Sequence, residues 1–260
     1  INLIKLYTYL LFFSIMIFMN RVKLLGYEID TFSFDEAINY ALELEKQDKV
    51  SQVVTINPEM FDCAKVDEEF SDILNKAEMV IPDGVGVKIG LKILGQNVER
   101  IAGIDFARKM LEISAQNNMP VAIIGAKPEV INKAKENLEE EIENINIVYV
   151  QDGYFQDDDR VLEELKQASP RLVLVALGSP KQEKFINKAR NILSCGLMVG
   201  VGGSFDVWSG TVERAPEIYQ KFGIEWLYRT VKQPERFKRI FPTLPLFVLR
   251  VINERIFNKK

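Results

Sequence analysis

The stretch LVLVALGSPKQE, residues 172 to 183, is an apolar run followed at once by a glycine turn and a charged segment with helical spacing. Parallel strands that are buried on both faces have continuous Val, Ile and Leu runs of this kind. A glycine turn that opens into a helix is a common exit from such a strand. The stretch therefore predicts one strand–helix unit of an α/β fold.

The same order recurs from residue 20 onward. The predicted strands are seven apolar runs: VKLLGYEI (22–29), VVTI (53–56), MVI (79–81), VAIIG (121–125), INIVYV (145–150), LVLVALG (172–178) and LMVGVGG (197–203). The segments between them have helical spacing and include FDEAINYALELEKQ, GIDFARKMLEISAQNN, PEVINKAKENLEEEIE, DDRVLEELKQA and PKQEKFINKARNIL. This alternation predicts a Rossmann-like α/β fold, with a doubly wound, mostly parallel sheet and helices on both sides.

Composition limits the chemistry that the chain can perform. Its 260 residues are 47% hydrophobic and 27% charged, which suits one sizeable α/β domain with an appendage. It contains no histidine, and its two cysteines, Cys63 and Cys195, lie far apart and outside any CxxC motif. The usual zinc ligand sets and any Ser-His or Cys-His nucleophile pair are therefore excluded, and a reduced, cytosolic compartment is predicted.

The first eighteen residues, INLIKLYTYLLFFSIMIF, form an apolar leader of borderline membrane-spanning length. Met19 is followed by NRVKLLGYEID, which is typical of the opening strand of a domain. We therefore expect residues 1–18 to lie upstream of the true start and the α/β core to occupy residues 19–228. A hydrophobic anchor remains the alternative for the leader.

The C-terminal segment, residues 229–260, is electrostatically distinct from the core. It carries nine basic and two acidic side chains, a net charge of +7, which leaves −11 for the rest of the chain. Large apolar residues alternate with these charges, so we expect a basic helical appendage that binds an anionic membrane surface. The acidic remainder of the chain disfavours nucleic acid as a partner. Pro242 and Pro245 predict a short basic helix followed by a second, more apolar one.

Polar and glycine residues follow four of the predicted strands. Ligands of doubly wound sheets bind at the carboxyl ends of the strands, and glycine turns before helices suit phosphate groups. Each residue alone is equally compatible with helix capping or a turn. The candidates are Thr55 and Asn57 after one strand, Asp83 after the next, Gly178, Lys181 and Gln182 after LVLVALG, and Gly202, Gly203 and Asp206 after LMVGVGG.

A nicotinamide dinucleotide is a weak candidate ligand for this fold. GVGGSF contains only part of the G-x-G-x-x-G fingerprint, and it follows the last strand instead of the first. The sequence has no complete P-loop motif either. An NAD(P)-binding oxidoreductase and a non-enzymatic, membrane-associated binding module remain as alternatives to a transferase.

Several longer motifs carry a family resemblance. They are TINPEM (55–60), PDGVGV (82–87), the R-x-x-G-x-D of Arg100, Gly103 and Asp105, ALGSPKQE (176–183), GVGGSFDVWSG (200–210), RAPE (214–217), EWLYR (225–229) and PERFKR (234–239). In this order, from about Met19 to Arg239, the chain resembles the WecG/TagA/CpsF family of bacterial glycosyltransferases.

The resemblance implies a specific reaction. Members of that family transfer an N-acetylmannosamine-type sugar from a UDP donor to undecaprenyl-diphosphate-linked N-acetylglucosamine. The transfer takes place at the cytoplasmic face of the membrane, with inversion and without an essential metal or cofactor. The branch that makes the linkage unit of wall teichoic acid is the most similar in its motifs. A homo-oligomer is possible, and the sequence does not decide the oligomeric state.

The resemblance also marks Asp83 as the catalytic base, and without histidine a carboxylate has to take the acceptor proton. The alternative for Asp83 is a helix N-cap. We expect Thr55 and Asn57 to orient the acceptor or the donor sugar, and Gln182 to reach the diphosphate. The basic residues expected to close over the diphosphate are Arg229, Arg236 and Arg239. The acidic triplet at Asp157 to Asp159 is expected to cap a helix and not to hold a metal.

Overall fold

The structure is a computed structural model that describes residues 21–221, 225, 227–228 and 237–257, without the side chains of residues 221 and 237–242. The strands are β1 (Arg21–Leu24), β2 (Tyr27–Asp30), β3 (Val50–Ile56), β4 (Met79–Pro82), β5 (Val121–Gly125), β6 (Ile147–Gln151), β7 (Leu172–Ala176) and β8 (Gly196–Gly200). The helices are α1 (Phe34–Glu45), α2 (Pro58–Ala64), α3 (Glu68–Lys76), α4 (Val85–Ile93), α5 (Gly103–Gln116), α6 (Pro128–Glu141), α7 (Asp158–Ala168), α8 (Lys181–Ala189), α9 (Ser204–Trp208), α10 (Glu217–Lys221) and α11 (Phe237–Phe257).

Six of the strands form one parallel sheet in the order β4-β3-β8-β7-β5-β6. Val53 lies at the centre of the pairing around β3, since it is opposite Met79 on β4 and Val199 on β8. Helices cover both faces of the sheet, and its central strands are buried throughout. The predicted Rossmann-like, doubly wound fold is confirmed.

The chain leaves β3 and β8 on opposite faces of the sheet. After β3 it enters α2, whose Phe61 packs in the core layer that also contains α3 and α4. After β8 it enters α9, whose Phe205 packs in the layer formed by α1, α5 and α6. Neighbouring strands whose connections diverge in this way leave a crevice between them at their carboxyl ends. The fold therefore places a cleft between β3 and β8.

The run VKLLGYEI is not a strand of the central sheet, and that part of the prediction is wrong. It forms an antiparallel hairpin of β1 and β2, because Leu25 and Gly26 adopt φ values of 50° and 97° and reverse the chain. The buried carboxylate of Asp30 ties the hairpin to the sheet edge by accepting the N–H of Val80 at 2.6 Å. Arg21 pairs with the same carboxylate at 2.7 Å. The hairpin thus protects the edge strand β4.

The C-terminal helix is continuous, so the predicted break at Pro242 and Pro245 is also wrong. Helix α11 runs through both prolines and packs against α4 and α2. Its Phe247 is fully buried, with its ring centroid 5.1 Å from that of Phe61. A Cβ atom on Gly90 of α4 would lie only 3.0 Å from the Phe247 ring, so glycine permits this close approach. Tertiary packing outweighs the hydrogen bonds that the prolines remove.

The predicted division of the chain at residue 229 stays a prediction, since the apolar leader and Arg229 lie outside the described residues. What is described of the C-terminal segment packs on the α/β core through α11. None of the helices within the described residues has the length and apolar character needed to span a membrane.

Replacing Phe247 with alanine is expected to lower the free energy of unfolding by about 3–5 kcal/mol, because it empties a fully buried ring site between α11 and α4. Chemical denaturation followed by circular dichroism measures the loss. The matched control is Phe257→Ala on the same helix, where the ring is 75% exposed and the expected change is below about 0.5 kcal/mol. Equal losses in both variants would contradict the docking of α11.

Candidate active site

A cleft of about 800 Å³ opens where β3 and β8 diverge. Its walls come from the ends of β3, β4, β7 and β8, from the N-terminus of α5 and from α11. The hydroxyl of Thr55 on β3 donates to the carbonyl oxygen of Gly200 on β8 at 3.1 Å, directly beneath the point of divergence. The cleft therefore occupies the position at which doubly wound folds bind their ligands.

Asp83 lines the cleft immediately after β4. Its backbone N–H donates to the carbonyl oxygen of Ile56 at 2.9 Å, which fixes the residue beside the end of β3. Helix α4 is capped by Gly84, at a φ of 83°, without a side-chain capping bond. The predicted alternative, in which Asp83 is the N-cap residue, does not describe this helix start.

The N-terminus of α5 approaches Asp83 from the other side of the cleft. A Cβ atom on Gly103 would lie 2.9 Å from Cγ2 of Thr55, so only glycine allows α5 to come this close to β3. The backbone N–H of Gly103 then donates to the Asp83 carboxylate, and that of Gly84 does so as well. A helix N-terminus favours negative charge, so this contact orients the carboxylate and stabilises its ionised form.

Burial nevertheless dominates the electrostatics of Asp83. Desolvation by the surrounding protein raises the pKa of the Asp83 carboxyl above its ordinary value. The positive charge of Arg100 and the N–H groups of Gly103 and Gly84 oppose this rise, while the negative charge of Glu225 adds to it. A carboxylate with a raised pKa is a stronger base than an exposed one, and it faces an open cleft.

Two ion pairs tie the chain after β8 to the start of α5. Arg100 donates to Glu225 at 2.8 Å, and both side chains are at least 85% buried. Arg214 and Asp105 form the second pair at 2.7 Å. The R-x-x-G-x-D motif thus supplies a cation, a close-packed glycine and an anion in turn, and each contributes to the cleft or to its frame.

Thr55 and Asn57 both line the cleft, and each also has a structural hydrogen bond. Thr55 bridges β3 and β8. Asn57 caps α2, with its Oδ1 accepting the N–H groups of Glu59 and Met60 at 3.0 and 3.3 Å. Their predicted role in orienting a sugar stays a prediction. The hydrogen bonds also give each residue a structural role.

Four of the predicted substrate-binding residues, Gly178, Gln182, Gly202 and Gly203, lie together in the cleft wall. Gln182 is only 4% exposed. Its Oε1 accepts the N–H of Gly202 at 3.2 Å, and its Nε2 donates to Glu183 at 2.7 Å. The polar atoms of Gln182 are therefore engaged in holding the two glycine turns against each other.

The other predicted binding residues are not among the described residues of the cleft wall. Lys181 and Asp206 are not among the described residues that line the cleft, and the ammonium of Lys181 lies 5.3 Å from the ring centroid of Phe155. Arg229 and Arg236 lie outside the described residues, as does the side chain of Arg239. The substrate contacts proposed for these residues stay predictions.

The acidic triplet has structural partners. Asp157 is the N-cap of α7, with its Oδ1 accepting the N–H of Arg160 at 3.1 Å. Asp158 and Asp159 pair with Lys188 at 3.7 and 2.8 Å. The part of the chain that the structure describes contains no group of three His, Cys, Asp or Glu side chains arranged to hold a metal ion.

Sequence reasoning missed the ion pair between Arg100 and Glu225 as part of the site. The two residues are 125 positions apart, so no local pattern links them. The only available signal was that each lies in a motif shared with the family, R-x-x-G-x-D for Arg100 and EWLYR for Glu225. Their pairing, and its effect on Asp83, follow from the fold alone.

A parallel α/β sheet with a carboxylate and glycine turns around the cleft between β3 and β8 is typical of proteins that bind nucleotides. The model of the glycosyl transferase WecG/TagA/CpsF family matches residues 22–260, and the chain belongs to this family of glycosyltransferases. This membership decides against an NAD(P)-dependent oxidoreductase and against a non-enzymatic binding module.

Two curated relatives are similar over most of their length. Both are named N-acetylglucosaminyldiphosphoundecaprenol N-acetyl-beta-D-mannosaminyltransferase. The protein from Bacillus subtilis (strain 168) is 36% identical over 214 residues, which cover 82% of this chain and 83% of the relative. The protein from Bacillus spizizenii (strain ATCC 23059 / NRRL B-14472 / W23) is 36% identical over 207 residues, which cover 79% of this chain and 80% of the relative.

The charges around Asp83 predict that two substitutions shift the pKa of its carboxyl group in opposite directions. Glu225→Gln is expected to lower the pKa of Asp83, because it removes a negative charge and leaves Arg100 unneutralised, whereas Arg100→Met is expected to raise it. Carbon-detected NMR titration of the aspartate carboxyls measures both shifts, and Asp83→Asn identifies the resonance. Glu217→Gln, in the same chain segment, is the control and should leave the titration unchanged. Shifts of the same sign in the two variants would contradict the proposed electrostatics.

Proposed function

We propose that this glycosyltransferase moves an N-acetylmannosamine-type sugar from a UDP donor to undecaprenyl-diphosphate-linked N-acetylglucosamine. The product would enter teichoic acid or surface polysaccharide synthesis, and the reaction would take place at the cytoplasmic face of the bacterial membrane. Support comes from the two relatives, whose names give this acceptor and this sugar. The observation that carries the proposal is the carboxyl group of Asp83, which faces the switch-point cleft with a raised pKa.

The proposed transfer is a single inverting displacement. The acceptor hydroxyl attacks the anomeric carbon while its proton passes to the Asp83 carboxylate. The bond between the anomeric carbon and the phosphate oxygen of UDP breaks on the opposite face of the sugar. Desolvation of Asp83 makes its carboxylate a better proton acceptor. The Gly103 and Gly84 N–H groups hold the carboxylate in one orientation.

The two ends of the cleft suit different parts of the substrates. Gly178, Gly202 and Gly203 offer backbone at one end, which fits a diphosphate that must approach closely. Pro58 and Leu244 make the other end apolar, and Leu244 belongs to α11. We place the UDP donor at the glycine end and the lipid-linked acceptor at the α11 end, with Asp83 between them.

Arg100 is a cation in the cleft wall that can offset part of the charge on the leaving UDP. Arg229, Arg236 and Arg239 would add to it if the C-terminal segment closes over the site, as we predict from the sequence. The carboxylates of the Asp157–Asp159 triplet are committed to a helix start and to Lys188. We therefore propose that arginines, and not a divalent ion held by that triplet, neutralise the diphosphate.

A donor screen tests the function. The purified protein is incubated in EDTA with UDP-N-acetylmannosamine, its uronic acid or UDP-N-acetylglucosamine, together with a short-chain lipid diphosphate that carries N-acetylglucosamine. Transfer is expected from the N-acetylmannosamine donor. Transfer only from another donor would change the sugar assigned, and activity that appears only after magnesium is added would contradict the metal-independent mechanism.

Asp83→Asn is expected to reduce turnover by about 10²–10⁴-fold while it leaves the dissociation constant for UDP within about threefold of the parent. The amide cannot accept the acceptor proton, but it keeps the shape of the carboxyl group. Steady-state kinetics measure turnover, and calorimetry measures UDP binding. Asp48→Asn, an exposed carboxylate outside the cleft, is the control and should leave both quantities unchanged. Near-parental turnover in Asp83→Asn would rule out the base.

We also propose that α11 attaches the enzyme to the membrane surface. Its inner face packs on the core, while Leu246, Leu249, Ile252 and Ile256 line its outer face and are 37–60% exposed. Their spacing of three or four residues makes this one apolar stripe along the helix. Residues 229–260 also carry a net charge of +7, which attracts anionic lipids. Each basic residue near the surface contributes about 1 kcal/mol to the binding free energy.

In the protein beginning at Met19, the triple change Leu246→Ser, Leu249→Ser and Ile256→Ser is expected to weaken binding to anionic liposomes by more than about tenfold. Each removed side chain contributes roughly 1.5–3 kcal/mol when it is buried in the lipid interface. Co-sedimentation with vesicles measures binding, and circular dichroism checks the fold.

The matched control changes three exposed apolar residues on the core: Val66→Ser, Val148→Ser and Tyr154→Ser. This control should keep parental liposome binding. Equal binding by the parent and the α11 variant would remove α11 from the membrane contact.

A further inference from the structure

Glu183, at the start of α8, is a carboxyl group buried behind the cleft wall. It is 1% exposed, although it lies next to Gln182, which lines the cleft. Its Oε1 accepts the Nε2–H of Gln182 at 2.7 Å. Its other oxygen, Oε2, is buried and has no hydrogen-bond partner among the described residues. An ionised carboxylate has two acceptor oxygens, so one half of this group is unsatisfied in that form.

No described basic side chain balances a negative charge on Glu183. On α8 itself, Lys184 pairs with Asp67 and Glu69, Lys188 pairs with Asp159, and Lys181 lies over an aromatic ring. From α2, the titratable group that faces Glu183 is the Cys63 thiol, whose pKa is raised by burial and by nearby acids. An ionised carboxylate buried without a cation costs several kcal/mol, and a buried group of this kind usually keeps its proton.

A second unsatisfied acceptor belongs to a side chain that contacts the backbone of Glu183. Gln52 on β3 is fully buried, and its Nε2 donates to the backbone oxygen of Glu183 at 3.4 Å. Oε1 of Gln52 has no hydrogen-bond partner among the described residues. Two neighbouring side chains thus each present an acceptor without a donor. One proton on Glu183 converts Oε2 from an unsatisfied acceptor into a donor.

We infer that Glu183 is a neutral carboxylic acid in the folded protein, and that it is a positioning residue which holds Gln182 and thereby the wall of the cleft. The geometry gives a continuous chain of contacts. Gln52 on β3 contacts Glu183 on α8, Glu183 holds Gln182, and Gln182 accepts the N–H of Gly202 after β8. These contacts connect β3, α8 and the turn after β8 on the side away from the cleft.

Burial desolvates Glu183 and so raises the pKa of its carboxyl group, while nearby polar groups, first the Gln182 amide and then Ser179 and the backbone N–H of Glu183, oppose the rise only in part. The sign of the pH effect follows. Between the ordinary glutamate pKa of 4.5 and the raised folded value, the native protein binds one proton more than the unfolded chain. Stability conferred by the neutral acid is therefore complete below 4.5 and is lost as the pH rises through that window.

The consequence for ligand binding rests on the proposed function. If UDP binds at the glycine turns, ionisation of Glu183 adds a buried charge behind them and removes the proton from Oε2. The affinity for UDP should then fall at alkaline pH. Glu183→Gln keeps the size and an N–H donor of the neutral acid but cannot ionise. It should abolish the part of the alkaline loss that belongs to this residue.

The experiment compares the full chain with its Glu183→Gln variant across pH. Urea denaturation of both gives the ratio of their unfolding equilibrium constants. The parent is expected to become less stable than the variant by up to about tenfold per pH unit above 4.5, until the folded protein itself ionises. Infrared difference spectra should show a protonated-carboxyl C=O band in the parent that is missing from the variant. A pH-independent ratio without this band would overturn the inference.

UDP calorimetry at neutral and alkaline pH forms the second arm. At neutral pH, Glu183→Gln should bind UDP within about threefold of the parent, while Glu183→Leu, which cannot hold Gln182, should bind it at least about tenfold more weakly. A Glu183→Leu protein that is folded and binds UDP normally would overturn the positioning role. Absence of UDP binding in the parent would instead overturn the proposed donor, and the stability and infrared results would still decide the protonation of Glu183.

Discussion

The site depends on one feature of the sheet, the pairing of β3 with β8 at the point where their chains leave on opposite faces. The Thr55 hydroxyl spans this pair by donating to the Gly200 carbonyl oxygen, so the strands stay joined up to the residue at which they diverge. Everything that lines the cleft is placed relative to this point. Asp83 is held to Ile56 at the end of β3, and the turn at Gly202 is held by Gln182 on the other side. A doubly wound topology produces the crevice, and the hydrogen bonds give it fixed walls.

Around the cleft, burial raises the pKa of carboxyl groups, whereas nearby positive charges and N–H donors lower it. Asp83 and Glu183 are both raised in pKa chiefly by desolvation, but their surroundings differ. Asp83 has Arg100 and two backbone N–H groups nearby, and these support its ionised form. Glu183 has no such cation among the described residues, and its Oε2 has no hydrogen-bond partner there. We therefore propose that the same carboxyl chemistry provides a base at the surface of the cleft and a neutral hydrogen-bond donor behind it.

Much of the fold could be predicted from the sequence because its strands are long apolar runs and its helices have regular spacing. The run 121–125 and the segment 158–168 match β5 and α7 residue for residue. The errors arose from a local turn inside one apolar run and from tertiary packing that overrides a local rule in another segment. The run 22–29 folds back on itself at Leu25 and Gly26, and α11 continues through two prolines because it is held against α4. For the site, strand-end reasoning brought together Thr55, Asn57, Asp83 and the glycine turns. It could not find the pair of Arg100 with Glu225, or the contact of Gln52 with Glu183, because both join residues more than 120 positions apart.

Helix α11 contributes one face to the cleft and the core and leaves its other face exposed. Leu244 lines the cleft, Phe247 and Val251 are fully buried against the core, and Leu246 and Leu249 point outward. These positions lie within two helical turns, so a displacement of α11 relative to the core would change the cleft wall and the outer stripe together. The inner face is fixed further by Arg250, which pairs with Asp62 of α2, and by Glu254, which accepts the N–H of Leu25 in the hairpin. Because Asp62 also lines the cleft, the ion pair with Arg250 places an anchor of the helix within the site itself. The packing that holds α11 on the core is therefore also the packing that shapes one wall of the cleft.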